Sequence, residues 1–249
     1  MAHTWPLYRK RGTATGLHAL EALGEEVVYD EVRWGLLRDK RAKALDVLRA
    51  LYQRGVRAYV FGSVARGDVR PTSDVDIVVL EPIQPYLLEL ALEAASRKAF
   101  KKEIVQATPS YVPKAYIYLD PTEEVVVSFP LARMRPREYE FYRWGGIIDL
   151  KGVEEGLRVP GVNKDLVVIV PTPRGHVQFP VRGHEGQAVR LLGVSMDIVL
   201  ERLSVLGRRR EVGRTGTFLK VEVPPDEPLE EAIARLREKN EFFRRATES

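Results

Sequence analysis

The chain of 249 residues carries 39 Lys and Arg against 35 Asp and Glu, a net charge of +4, with 45% hydrophobic and 30% charged residues. That balance fits a folded protein with room for one large domain or two smaller ones. The absence of cysteine excludes disulfides, thiolate zinc sites and a cysteine nucleophile. The N-terminus lacks an apolar signal core, and no run reaches the ~18 apolar residues of a membrane helix, so a cytoplasmic protein without a membrane partner is expected. Arg outnumbers Lys 28 to 11, with two Asn and five Gln, a composition that suits a thermophile.

Residues 1–37 read as an N-terminal extension with a basic start, Arg9-Lys10-Arg11, and a short strand at Glu26–Tyr29. Asp39–Arg54 has Ala44, Leu45, Leu48, Leu51 and Tyr52 at helical spacing and predicts an amphipathic helix closed by Gly55. Strands are expected at Val56–Phe61 and Val75–Leu80, then a helix over Tyr86–Lys101 introduced by Pro82 and Pro85. Three strand-like runs follow, Glu103–Ala107, Ala115–Leu119 and Glu124–Phe129, the last two joined as a hairpin by Asp120-Pro121-Thr122.

Residues 133–165 predict a connecting helix and linker, ending at Gly145-Gly146, and 166–249 a separate C-terminal unit. That unit reads as two strands, a helix over 185–206, a basic loop, an alternating strand at Thr217–Val223 and a final helix. Asn240 is the one polar break in the final helix's apolar stripe. Residues 207–220 hold five positive charges and one negative, so Arg208, Arg209, Arg210, Arg214 and Lys220 are candidates for gripping a nucleic-acid backbone. Within this stretch Gly213–Gly216 fits a GxxG pattern but reads better as a hairpin turn. Aromatics at Tyr139, Phe141, Tyr142 and Trp144 read better as packing between units than as base-stacking platforms.

The informative stretch is YVFGSVARGDVRPTSDVDIVVL, residues 59–80. Asp74 and Asp76 are two apart at the head of a strand, so their side chains share a face. Two like charges side by side call for a cation, and carboxylates with phosphate oxygens form the shell that Mg²⁺ prefers. Upstream, Gly62 lets the backbone come close and Ser63 is placed to cap a short helix whose N–H groups could meet a phosphate. Arg66 could reach a triphosphate or pair with Asp68.

Gly62-Ser63, the following Ala65-Arg66-Gly67 and Ser73-Asp74-Val75-Asp76-Ile77 resemble the signature of the DNA polymerase beta-like nucleotidyltransferase superfamily. The resemblance covers residues 38–132, and the longer layout is similar to archaeal CCA-adding-type enzymes. It implies an α+β fold, a mixed sheet flanked by helices, here followed by a second, smaller α+β domain. It also implies Mg²⁺, or Mn²⁺ in its place, on Asp74 and Asp76, with an NTP against Gly62 and Ser63; Arg66 and Ser73 are further nucleotide-binding candidates. The superfamily uses a third catalytic carboxylate; Glu124 is the nearest candidate, with Glu103 and Asp120 behind it. The expected activity is NMP transfer from an NTP to a hydroxyl, with RNA as acceptor. The alternatives are a non-catalytic relative that binds RNA, nucleotide or a protein, and an enzyme that modifies a small molecule or a protein.

Overall fold

The computed structural model describes residues 22–213 and 216–248, with the backbone alone for 209–212. Strand β1 (Glu25–Val28) leads into helix α1 (Glu31–Gln53). The helix starts well before Asp39 because the Asp30 carboxylate accepts a hydrogen bond from the Arg33 N–H at 2.8 Å, a cap for an otherwise unpaired donor. Next come β2 (Ala58–Phe61), a single turn α2 (Ser63–Arg66) and β3 (Val75–Val79). Helix α3 (Pro85–Ala94) stops short of Lys101, where Ser96 adopts φ +58°. Then follow β4 (Lys101–Gln106), β5 (Lys114–Tyr118), β6 (Val125–Pro130) and α4 (Pro136–Gly145).

Short elements not expected from the sequence come next: β7 (Ile147–Asp149), α5 (Leu150–Glu154) and β8 (Gly161–Val162). Strands β9 (Val167–Thr172) and β10 (Gly175–Pro180) precede α6 (Glu185–Leu192) and α7 (Met196–Val212). The single helix expected over 185–206 is broken by Gly193 in the left-handed region, and Ser195 then caps α7. The chain ends in β11 (Leu219–Val223), α8 (Leu229–Lys239) and α9 (Glu241–Thr247). Asn240, the polar break in the stripe, separates the last two helices and accepts from the Phe243 N–H at 3.0 Å. The turn expected at Gly213–Gly216 includes residues 214 and 215, which lie outside the described residues.

The elements build a mixed α+β fold with two sheets. The larger has seven strands in the order β11-β4-β5-β6-β3-β2-β7, with β3 and β6 parallel and the other neighbours antiparallel. The smaller, antiparallel, has the order β1-β10-β9-β8. Neither sheet follows the expected boundaries. Strand β11, expected in a separate C-terminal unit, pairs with β4, while β1 from the N-terminal extension pairs with β10.

Helix α1 covers one face of the large sheet, where Leu48, Leu51, Ile77, Ile117, Val127 and Phe129 are fully buried in one core. Full burial of such a side chain contributes about 1.5–3 kcal/mol. The small sheet buries Val168, Val177 and Phe179 against α6 and α7. Helix α4 joins the two: Trp144 packs into the small-sheet core, while Phe141 and Tyr142 meet Phe61 of β2 at centroid distances of 5.6 and 5.2 Å. Among the described residues no helix is long and apolar enough to cross a membrane.

Candidate active site

The site begins where β2 ends. Gly62 has φ +77° and ψ −140°, a conformation open to glycine and strained for other residues. A Cβ added there would lie 3.8 Å from Asp76 Oδ2, so the glycine backbone forms a wall beside that carboxylate. The Gly62 N–H donates to the Gly146 carbonyl at 2.9 Å, which fixes its position from the far side. Gly62, not Ser63, occupies the cap position of α2; Ser63 is its first helical residue, and its hydroxyl makes no hydrogen bond among the described residues.

Asp76 lies opposite Phe61 on antiparallel β2 and beside Val126 on parallel β6. Asp74, just before β3, shares its face by strand alternation. Neither carboxylate accepts a hydrogen bond among the described residues. Burial first, and the neighbouring Asp74 second, push the Asp76 carboxyl from 3.8 up to about 6, against the pull of Lys164 and Arg66. A largely buried acid with no donor beside a second acid is poorly solvated as an anion and suited to a hard cation.

The cations around this pair are mostly engaged with protein oxygens. Lys40 donates to the Ser73 carbonyl at 2.5 Å and to Glu124 at 2.9 Å. Arg41, buried, donates to the Val64 and Ala65 carbonyls, both at 3.1 Å, and satisfies acceptors that the single turn α2 leaves open. Burial lowers the Arg41 guanidinium to about 10. The expectation that Arg66 reaches a triphosphate is corrected. Its guanidinium is buried, forks onto Asp68 at 2.9 and 3.0 Å, and also donates to the Gly145 and Val162 carbonyls. The Ser73 hydroxyl accepts from the Arg70 N–H at 2.9 Å and closes the turn before Asp74.

The third acid does not join the pair. Both oxygens of Glu124 are held by lysines of α1, Lys40 at 2.9 Å and Lys43 at 2.5 Å, which hold its carboxyl below the usual range. This corrects the expectation that Glu124 completes the catalytic set. Its weaker substitutes are engaged as well. Glu103 pairs with Lys101 at 2.9 Å and Lys220 at 3.0 Å, while Asp120 accepts from the backbone of Thr122, Glu124 and Val125. The β6 positions on the face of Asp76 are Val126 and Ser128, neither of them acidic. No cluster of three His, Asp or Glu side chains able to hold a metal occurs among the described residues.

Of the residues expected to grip nucleic acid, Arg208 is exposed on α7, and Lys220 on β11 is tied to Glu103. The side chains of Arg209 and Arg210, and Arg214 as a whole, lie outside the described residues. Sequence reasoning missed Lys40, Arg41 and Lys164. The first two carried a signal, adjacent charges on the same helix as the apolar stripe; Lys164 carried none.

Residues 41–132, from the middle of α1 to just past β6, match the nucleotidyltransferase domain family. The matched segment holds Gly62, Ser63, Asp74 and Asp76, and the match is consistent with the polymerase beta-like superfamily. No curated protein and no solved structure matches the chain.

Proposed function

We propose that this nucleotidyltransferase domain transfers a nucleoside monophosphate from an NTP to a hydroxyl of an RNA acceptor, dependent on Mg²⁺ or Mn²⁺. The observation that carries the reading is the Asp74–Asp76 pair: two adjacent carboxylates with no hydrogen-bond donor among the described residues, beside the bare backbone of Gly62. Hard oxygen donors left open in this way fit a divalent cation, and Asp74 and Asp76 would hold it. When bound, the ion supplies positive charge to the reacting phosphate oxygens.

The chain's own residues do the positioning. Gly62 lets the phosphates approach without a side chain in the way, and the Ser63 hydroxyl is available to donate to a phosphate oxygen. Lys40 and Arg41 anchor the two segments that carry these groups to α1, so the phosphate wall and the acids keep one spacing. The acceptor hydroxyl gives its proton to solvent as its oxygen bonds to the α-phosphorus, the bond to the bridging oxygen breaks, and pyrophosphate leaves. RNA as acceptor is supported by the Arg-rich segment 207–220.

A second reading, nucleotide binding without turnover, is favoured by one observation: Glu124, Glu103 and Asp120 are all engaged away from the pair. Incorporation of each α-labelled NTP, with Mg²⁺ and then Mn²⁺, into RNA and into the protein itself separates the two. Label in RNA that vanishes in the Asp74→Ala/Asp76→Ala variant supports transfer to RNA, and label on protein moves the acceptor to a polypeptide. NTP binding with no label supports the second reading.

A further inference from the structure

The small sheet reaches the candidate site through the turn between β8 and β9. Three contacts bring it there. A Cβ on Gly161 would lie 2.7 Å from the Gly145 carbon and the Gly146 nitrogen, so β8 lies directly on the segment that holds the Gly62 N–H. At one end of the turn the Val162 carbonyl accepts from Arg66 at 3.4 Å. At the other, Asp165 lies 3.8 Å from Arg70, four residues before Asp74. The interior of the turn is braced by Asn163, whose side chain accepts from the Asp165 and Val167 N–H groups at 2.9 and 3.0 Å.

Lys164 sits between these two anchors. It is exposed and makes no hydrogen bond or ion pair among the described residues, in contrast to Lys40, Arg41 and Arg66. Its turn is held against the Gly62–Arg70 segment by the Arg66 and Arg70 contacts. The anchors also set the side from which it approaches, the Gly62–Arg70 segment and not strands β5 and β6. A triphosphate laid against Gly62 and Ser63 brings about four negative charges to a wall whose buried cations already bind protein oxygens.

We infer that Lys164, contributed by the small sheet, binds the β- and γ-phosphates of the nucleotide, so that the phosphate site is built from both sheets. The inference rests on the nucleotide reading above, and it makes the small sheet part of substrate binding. Lysine suits the role: a flexible stem carries a point charge that can follow a mobile phosphate chain.

The test is isothermal titration of the full-length protein with NTP, NDP and NMP in Mg²⁺, comparing wild type with Lys164→Met, Lys164→Arg and Asp76→Asn. The expected result is a loss of about ten-fold or more in NTP affinity for Lys164→Met, a smaller loss for NDP, almost none for NMP, and substantial rescue by Lys164→Arg. Equal losses for all three nucleotides would overturn the inference, because the contact would then not be to the outer phosphates. Unchanged NTP affinity in Lys164→Met, with binding lost in Asp76→Asn, would overturn it and leave the nucleotide reading standing. Weakened RNA binding with unchanged NTP affinity would overturn it in favour of the acceptor. If the wild type binds no nucleotide, the nucleotide reading fails and this inference with it.

Discussion

The large sheet holds two groups of acids that differ in their partners rather than their chemistry. Around the N-terminal ends of β4 and β6, Glu103, Asp120 and Glu124 are filled by lysines and backbone N–H groups. At the head of β3, Asp74 and Asp76 accept nothing among the described residues, although Lys40, Arg41 and Arg66 are nearby. Those three cations reach past the pair to carbonyls and other acids. The partners separate the acids that brace the fold from those left open to an ion from outside. A saturated carboxylate stabilises the protein; an unsaturated, largely buried one costs stability until something binds it.

The largest expected effect breaks the open group. Asp74→Ala or Asp76→Ala should lower NMP transfer by ~10³-fold or more while circular dichroism stays unchanged. Next is a braced pair: Arg66→Ala leaves Asp68 buried and unpaired, and should cost about 3–5 kcal/mol in denaturant unfolding. Asp68→Asn added to that variant should recover part of the loss.

A third prediction concerns the cost of leaving Asp76 open. With a folded value of about 6 against 3.8, the native state holds this proton more tightly than the unfolded chain, so stability falls as pH rises from about 4 to 6. Asp76→Asn should therefore stabilise the metal-free protein at pH 7.5, by up to about 3 kcal/mol, and the gain should disappear near pH 4.

The smallest effect has the opposite sign. Lys43 and Lys40 lower the Glu124 carboxyl, so its stabilisation is complete above its ordinary value of 4.5 and is lost as pH falls through the lowered one. Glu124→Gln should slightly lower the melting temperature at neutral pH, not at low pH, and leave divalent-ion binding unchanged. Loss of ion binding in that variant would erase the distinction between the two groups of acids.

Legibility in the sequence followed the range of the interactions. Asp74 and Asp76 were readable because strand alternation alone puts them on one face, and Gly62 because a turn follows its strand directly. The β5–β6 hairpin was readable from its Asp120-Pro121-Thr122 turn, where Asp120 collects the N–H groups. Glu124 was misjudged because its position in the chain said nothing of the lysines on α1, about eighty residues away. The unit boundaries failed for the same reason: β11 and β1 are completed by partners far off in sequence, and no local pattern names an edge strand's neighbour. Arg66 had two readings from its short range alone, and burial under Gly145 and Val162 decided between them.

The most direct test of the central claim, that Asp74 and Asp76 form a divalent-ion site for a nucleotide, is a Mn²⁺ titration followed by electron paramagnetic resonance. It would be run with and without NTP, on wild type and on Asp74→Asn/Asp76→Asn. The expected result is Mn²⁺ binding in the wild type that NTP strengthens and that the double variant loses. Equal Mn²⁺ binding by the two proteins in the presence of NTP would contradict it.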